Sequence, residues 1–365
     1  MMDKYLKDSI ELLRRMVGTP SLSFGEAEVC SILEQALSSW GVDVVRMGNN
    51  LLASYFGAGE KAPVLAFDAH IDTVPAAQSY TRDPFDPGKD ESVVYGLGSN
   101  DDGGSVVAMI AAFRHLANSG SAVNLVLTLC CEEERSGPDG AAFIYGAEGP
   151  FACGTIRKPD AVIVGEPTGM KAATSERGLL VLDGKAEGVS GHAARNEGVN
   201  AIYIAMEDIR TLLAYPFDRH SEAMGEVKLS VTQINAGTAH NVVPDSCSFV
   251  VDIRPTDRYS NVEILEALQS VCKSSLKARN LRNKSSATLP HGRLMSCIER
   301  MGLETFSSPT TSDWIRIDAD AVKMGPGESS RSHRADEFIF ISEIEDAILK
   351  YINFTENFFN GDTVE

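Results

Sequence analysis

The stretch AFDAHIDTVPA, residues 66–76, ends an apolar run with a group of ionisable side chains. The run at 63–67 has the length and composition of a strand that is buried on both faces of a sheet. Asp68, His70 and Asp72 follow it within five positions. Because ligands of an α/β sheet bind beyond the carboxyl ends of its strands, this stretch predicts a functional site at the rim of such a sheet.

Further strands are predicted to end in the same way. Apolar runs at 62–67, 123–130, 160–165 and 319–325 are typical of buried strands, and the segment 101–120 has the pattern of a helix. Strands that alternate with helices favour an α/β sheet. The polar residues that follow these strands or begin the helix are His70, Asp72, Asp101, Asp102, Glu132, Glu133, Glu134, Glu166 and His333. We therefore expect two histidines and several carboxylates to meet at one rim.

The chemistry of this cluster points to metal. Closely packed carboxylates repel one another unless cations compensate them, and no run of Lys or Arg lies at these strand ends. Imidazole and carboxylate without thiolate suit Zn²⁺ or a neighbouring divalent ion such as Co²⁺. The candidate ligands outnumber those that one tetrahedral ion needs. The pattern therefore predicts two divalent metal ions, an arrangement typical of hydrolases.

Each motif also has an ordinary structural explanation. His70 and Asp72 could be loop residues, the glutamates at 132–134 a solvated charge run, and GLGSNDDGG (96–104) a turn with a helix cap. His333 alone could be a surface histidine. The placement of all four motifs after strand ends favours the metal site.

Length and composition limit the class of protein. The 365 residues favour two domains, and the net charge of −18 argues against nucleic acid, whose phosphates need clustered Lys and Arg. No apolar run reaches the length of a membrane span, and residues 1–16 are typical of an amphipathic helix and not of a signal peptide. Seven cysteines without a C-x-x-C pair favour reduced thiols and a cytoplasmic location.

The segment 178–285 differs from the rest of the chain in its order of predicted strands and helices. Its patterns predict strand, helix, strand, strand, helix and strand, with the second helix at 261–278 and the closing strand at 282–290. That order is typical of a ferredoxin-like unit. We therefore expect an inserted α+β domain at 178–285 and a larger α/β domain formed by 1–177 and 286–365.

The ordered motifs resemble one known family. H-x-D, G-x-G-x-x-D-D-x-G, E-E, G-E-P-T, G-H-A, N-V-V-P and G-P-G followed by His occur in this order along nearly the whole chain. The set is similar to that of the co-catalytic zinc family of acetylornithine deacetylase, succinyl-diaminopimelate desuccinylase and carboxypeptidase G. The resemblance implies a zinc-aminopeptidase-like mixed sheet with helices on both faces and an inserted ferredoxin-like dimerisation (lid) domain.

The resemblance implies two sets of metal ligands that share one residue. His70, Asp101 and Glu166 correspond to the ligands of one ion. Glu134 and His333 correspond to ligands of the other ion, and Asp101 bridges both.

The same resemblance implies the acid–base residues. Asp72 corresponds to a carboxylate that orients the metal-binding His70. Within the triple glutamate, Glu133 corresponds to the general base when Glu132 is placed first, and a shift of one residue makes Glu132 the base instead. His192, in GVSGHAA, corresponds to a histidine that reaches from the partner subunit to the oxyanion.

Two further residues correspond to substrate contacts. Arg254 corresponds to the family arginine that receives the substrate carboxylate, a task that its fork suits, and a salt bridge at a strand edge is the alternative. Asn241 corresponds to a hydrogen-bonding residue near the same place, and a turn residue is the alternative. Asp313, in the T-S-D loop, is expected to shape the pocket.

The implied function is metal-dependent hydrolysis of a small N-acyl amino acid by a homodimer that pairs through the inserted domain. The length and the ending KMGPGESSRSHRADEFI resemble acetylornithine deacetylases of arginine biosynthesis most, and some relatives take acetyl- or succinyl-citrulline instead. The alternatives are a succinyl-diaminopimelate desuccinylase, a dipeptidase or carboxypeptidase of the same family, and a non-catalytic binding protein on the same fold.

Overall fold

The computed structural model describes residues 2–195 and 197–360 of the chain. They fall into two compact units, of which the first spans 2–174, 288–306 and 312–360 and the second spans 175–195, 197–287 and 307–311.

The strands are short and are numbered in chain order. They are β1 (Val44–Met47), β2 (Asn50–Phe56), β3 (Leu65–His70), β4 (Val93–Tyr95), β5 (Asn124–Cys130), β6 (Ala161–Val164), β7 (Ala172–Glu176), β8 (Leu180–Glu187), β9 (Gly191–His192), β10 (Lys228–Ala236), β11 (Val242–Val243), β12 (Ser246–Arg254), β13 (Ser275–Ala278), β14 (Ser286–Ala287), β15 (Thr305–Ser308), β16 (Asp320–Lys323) and β17 (Phe338–Phe340). The helices are α1 (Met2–Val17), α2 (Ala27–Ser39), α3 (Gly104–Asn118), α4 (Ala141–Ile144), α5 (Ala201–Leu213), α6 (Asn261–Val271), α7 (Arg293–Met301) and α8 (Ile341–Asn360).

A mixed sheet forms the centre of the first unit. Its strands lie in the order β1-β2-β5-β3-β6-β16-β7. The neighbours β5, β3, β6 and β16 are parallel, whereas β2 joins β5 antiparallel. Every side chain of β3, β5 and β6 is buried, which explains why these segments are almost continuously apolar. Because the four parallel strands point the same way, their carboxyl ends meet at one edge of the sheet.

Hydrophobic cores lie on both faces of this sheet. Along β3, Leu65 and Phe67 face the core that α1, α2, α3, α7 and α8 cover, whereas Ala66 faces the core that contains Ile144 of α4 and Trp314. The predicted mixed sheet with helices on both faces is therefore confirmed. In the described ranges, none of the helices has the length and hydropathy needed to cross a membrane.

The strand that opens the site is shifted from its prediction. The sequence predicts a strand at 62–67, but β3 runs from Leu65 to His70 and carries two ionisable residues within it. The polar end stays in the sheet because its backbone pairs with β5, where His70 lies opposite Cys130. Asp68 is tolerated there because its carboxylate accepts hydrogen bonds from Thr128 and, at 3.0 Å, from Tyr145.

The second unit is a four-stranded antiparallel sheet with two helices. Its strand order is β10-β12-β8-β13, which is the order of a ferredoxin-like unit when the strands are taken along the chain as β8, β10, β12 and β13. Leu182, Phe249 and Val251 project from one face of the sheet into a core that α5 and α6 cover. α6 begins with a capping box, in which Ser260 and Glu263 each bind the other's backbone N–H.

The end of this unit differs from the sequence prediction. The helix predicted at 261–278 stops at Val271, and its last part forms β13, the edge strand of the sheet. The carboxylate of Asp208 stops the helix, because it accepts hydrogen bonds from the backbone N–H groups of Lys273 and Ser274. The strand predicted at 282–290 is reduced to β14, which pairs with β7.

Candidate metal centre

Ligand-type side chains gather where β3, β5 and β6 end. The ligand atoms of His70, Glu133 and Glu166 lie within 4.8 Å of one another. Those of His70, Asp101 and Glu134 form a second group of the same size. The two groups share His70, so the residues at this rim form one continuous cluster.

Asp101 lies between two imidazole rings. Its Oδ1 is 3.2 Å from Nε2 of His70, and its Oδ2 is 3.6 Å from Nε2 of His333. The same nitrogen of His333 is 2.9 Å from Oε1 of Glu134. Two oxygens of one carboxylate that face two different nitrogens have the arrangement of a ligand that bridges two ions.

The structure therefore brings together the five residues that sequence reasoning named as ligands, together with Glu133. One detail differs from the expected grouping. Glu133, and not Asp101, shares a compact group with His70 and Glu166. Glu132 belongs to neither group, and its Oε2 instead accepts a hydrogen bond from the backbone N–H of Asp139 at 3.0 Å.

Asp72 holds the acidic loop as well as the histidine. Its backbone carbonyl is 3.1 Å from Nδ1 of His70, and its Oδ1 is 3.5 Å from the same nitrogen. Its carboxylate accepts hydrogen bonds from the backbone N–H groups of Glu133 at 3.0 Å and Glu134 at 3.2 Å, and from the hydroxyl of Ser23 at 2.7 Å. Sequence reasoning placed Asp72 beside His70 but missed its contacts with the loop and with Ser23.

Burial and mutual repulsion raise the pKa values of two carboxyl groups of the cluster, those of Glu166 and Glu133. Burial raises the pKa of Glu166 to about 8, although Lys323 on β16 acts in the opposite direction. Burial also raises the pKa of Glu133 well above its usual value. Burial alone would lower the pKa of His70, but its hydrogen bonds to Asp101 and Asp72 raise that pKa well above the ordinary range. Lys323, which is 1% exposed, is a buried cation that sequence reasoning missed.

Glu337 holds the backbone at Asn100 and Asp101 and was not predicted. It is 2% exposed, and its Oε1 accepts hydrogen bonds from the backbone N–H groups of Asn100 and Asp101, both at 2.9 Å. No motif marks it, and the only sequence signal is an acidic residue directly before the apolar strand at 338–340. Asp102, the residue after Asp101, is 1% exposed, and within the described part of the chain neither of its carboxylate oxygens has a hydrogen-bond partner.

Asp313 lies in another buried group. Its ligand atom is within 4.8 Å of those of Asp68 and Cys130, in a group separate from the two that contain His70. Burial and the nearby charge of Asp68 raise the pKa of Asp313 well above its usual value. Sequence reasoning expected Asp313 to shape a pocket and gave Asp68 no role.

The remaining candidate residues belong to the second unit. His192 in β9 lies opposite Val242 in β11, and the carbonyl of Asn241 accepts a hydrogen bond from Ala193 N–H at 3.1 Å. His192 and Asn241 are thus neighbours and are exposed. Arg254 forms an ion pair with Asp252 at 2.9 Å.

The residues of the rim fit divalent metal. The donors in both groups that contain His70 are imidazole nitrogen and carboxylate oxygen, which is the set preferred by zinc and neighbouring divalent ions. When all four clustered carboxyl groups are ionised, their negative charge exceeds what Lys323 compensates. The chemistry and the charge of the cluster therefore both match a two-metal centre.

Comparisons with known proteins identify the family of this chain. The profile of Peptidase family M20/M25/M40 matches residues 66–358. The acetylornithine deacetylase of Proteus mirabilis is 28% identical, and the match covers 92% of this chain and 93% of the relative. The succinyl-diaminopimelate desuccinylase of Xanthomonas euvesicatoria is also 28% identical, and the match covers 93% of this chain and 96% of the relative.

A solved structure shows the same fold. The M20 family metallo-carboxypeptidase of Sulfolobus solfataricus superposes with a TM-score of 0.75 at 17% identity, and the match covers 96% of this chain and 99% of that one. Since the family profile spans most of the chain, from β3 to α8, this protein belongs to peptidase family M20/M25/M40, whose members are metal-dependent hydrolases of amide bonds.

Proposed function

We propose that this protein removes the acyl group from an N-acyl amino acid, with N-acetylornithine of arginine biosynthesis as the substrate. The observation that carries the chemistry is the position of Asp101 between His70 and His333, with Glu133 in the same cluster. The acetylornithine deacetylase relative, which matches along more than nine tenths of both chains, supports the choice of substrate.

Two divalent ions, zinc or cobalt, complete the proposed centre. His70, Asp101 and Glu166 would hold one ion, and Asp101, Glu134 and His333 the other. When bound, such ions supply Lewis-acid activation of a water molecule and of the acyl carbonyl.

The side chains then carry out the proton transfers. Glu133 removes a proton from the attacking water as the oxygen adds to the acyl carbon. Glu133 returns that proton to the amide nitrogen, so that the carbon–nitrogen bond breaks and the free amine leaves. Asp72 keeps the backbone of Glu133 fixed during both transfers through the hydrogen bond at 3.0 Å.

Residues of the second unit recognise the substrate in this proposal. His192 donates a hydrogen bond to the oxygen that becomes negatively charged during attack. Arg254 receives the carboxylate of the amino acid, and Asn241 adds a hydrogen bond beside it.

A substrate panel tests the proposal. Metal-loaded protein is assayed with N-acetylornithine, N-acetylcitrulline, N-succinylcitrulline, N-succinyl-diaminopimelate and simple dipeptides, and kcat/KM is compared. We expect N-acetylornithine to give the highest value. A preference for the succinylated substrate or for dipeptides would select the desuccinylase or the peptidase alternative, and no hydrolysis of any of them would overturn the proposed substrate and favour the binding-protein alternative.

The surface of the second unit supports a homodimer. The strand β10 lies at the edge of its sheet, and Ile234 on it is 52% exposed. Helix α5 exposes three large apolar side chains, Tyr203 at 69%, Met206 at 51% and Leu213 at 59%. An exposed edge strand beside an apolar helix face is a surface that a second copy would cover. We propose that the dimer forms here and that His192 acts in the partner's site.

Complementation between inactive variants tests the shared site. His192→Ala and Glu133→Ala homodimers are each expected to be nearly inactive. After subunit exchange in an equal mixture, about half of the dimers are mixed, and each mixed dimer has one site with both residues intact. Activity should therefore rise to about a quarter of the wild-type value, measured as initial rate. Unchanged rates in a mixture with proven exchange would place His192 in its own subunit's site or outside any site.

A further inference from the structure

Arg254 is held by a carboxylate of its own strand. Its Nε donates to Oδ1 of Asp252 at 2.9 Å, and its Nη2 donates to Oδ2 at 3.2 Å. The two side chains lie on the same face of β12, because Val251 and Ile253 between and beside them are buried in the core on the other face. Both side chains of the pair are 31% exposed.

A guanidinium offers a carboxylate two different edges. The side edge consists of Nε and one N–H of Nη2, and Asp252 occupies it completely. The end edge consists of Nη1 and the second N–H of Nη2. Within residues 2–195 and 197–360, these end donors of Arg254 make no hydrogen bond. The pair with Asp252 therefore leaves the end edge available to a second carboxylate.

The surroundings of Arg254 fix its backbone and add positive charge. Nη1 of Arg177 donates to the carbonyl oxygen of Arg254 at 3.3 Å. Lys228 lies directly opposite Arg254 on the neighbouring strand β10. Side chains opposite each other on antiparallel strands have Cβ atoms about 4.5–5.5 Å apart. Asp252 neutralises the charge of Arg254 itself, and Lys228 thus adds a second positive charge nearby.

We propose that Asp252 is a positioning residue for substrate recognition. It holds the side edge of Arg254 so that the end edge receives the carboxylate of the N-acyl amino acid, and it does not compete because it uses the other edge. Without Asp252, the long side chain of Arg254 would be ordered only when the substrate binds, which weakens binding. This inference rests on the proposed function, which gives Arg254 the substrate carboxylate.

The same sheet contains a matched control. Asp183 on β8 and Arg279 form another bidentate pair, with Nε to Oδ2 at 3.0 Å and Nη2 to Oδ1 at 2.8 Å. Asp183 lies opposite Val250 of β12, on the same face as Asp252. Exposed ion pairs of this kind contribute little to stability. A general effect of removing a carboxylate from this face would therefore appear in Asp183→Asn as well.

The experiment compares each substrate acid with its amide. The best substrate of the panel and its carboxamide are assayed with wild type, Asp252→Asn, Arg254→Ala, the double variant and Asp183→Asn. We expect Asp252→Asn to raise KM for the acid about tenfold and to change kcat less than about twofold. KM for the amide should change little. The double variant should be no worse than Arg254→Ala, because Asp252 acts only through Arg254.

The outcomes separate this inference from the function on which it rests. If Arg254→Ala damages acid and amide equally, Arg254 does not bind the carboxylate, and that part of the proposed function is wrong. If Arg254→Ala is selective for the acid but Asp252→Asn leaves KM for the acid unchanged, the positioning role is wrong. Equal losses in Asp252→Asn and Asp183→Asn would also overturn it, because they would show a general effect of the surface charge.

Discussion

Replacing Glu133 with Ala is expected to lower turnover by about two to four orders of magnitude, the usual contribution of a general base. Metal content should stay at the wild-type level, because His70, Asp101, Glu134, Glu166 and His333 remain. Turnover is measured with the best substrate of the panel, and metal content by atomic emission on the same sample. Glu133→Gln should show the same loss, because it keeps the shape of the side chain but cannot take a proton.

The neighbouring glutamates are the controls. Glu134→Ala is expected to lose metal at one site, because Oε1 of Glu134 is 2.9 Å from His333 and its ligand atom joins those of His70 and Asp101. Glu132→Ala removes only the acceptor for Asp139 N–H and should retain most of its turnover. A large loss in Glu132→Ala combined with an active Glu133→Ala would shift the match by one residue and make Glu132 the base.

Chelation is expected to abolish activity. The protein should contain about two divalent ions per chain, and their removal should reduce turnover to below about 1% because the ions activate both the water and the acyl carbonyl. Added Zn²⁺ or Co²⁺ should restore turnover. The metal-free protein should also unfold at a lower temperature, because the buried carboxylates at the rim then repel one another without compensation.

Single substitutions refine the metal prediction. Asp101→Asn should reduce metal content at both sites, because its two oxygens face His70 and His333. Glu166→Gln should reduce it at one site only. Full turnover in protein that has been stripped of metal, verified by atomic emission, would contradict the two-metal proposal for this chain.

The parts of the site that follow strand ends were predictable from the sequence. Apolar runs of strand length can be recognised in the sequence. Because the carboxyl ends of parallel strands lie at one edge of the sheet, the residues that follow these runs are expected to form a cluster. His70, Glu134 and Glu166 were found in this way. His333 was placed at the rim in the same way, because it follows the strand predicted at 319–325, and the family resemblance then assigned it to a ligand set.

Contacts made through the backbone were not predictable. Glu337 accepts hydrogen bonds from the backbone N–H groups of residues 100 and 101, which are far away in the chain. The sequence around Glu337 contains no signal for these contacts. The end of α6 was missed for the same reason. Its pattern continues past Val271, but Asp208, more than sixty residues away in the chain, captures the N–H groups that would have extended the helix. Local propensity yields to such long-range partners.

The contacts of Asp72 bear on how the acidic loop can vary. The sequence of three glutamates at 132–134 does not distinguish their roles. In the structure, the backbone N–H groups of residues 133 and 134 both donate hydrogen bonds to the carboxylate of Asp72. These two hydrogen bonds fix which residues of the loop lie beside Asp72. Insertion or deletion of one residue between Cys131 and Glu134 would therefore place different side chains at the two positions that Asp72 holds. An exchange of Glu132 for Asp keeps the length of the loop and leaves these positions unchanged. Length is thus the constrained property of this loop, and the chemistry of its first glutamate is not.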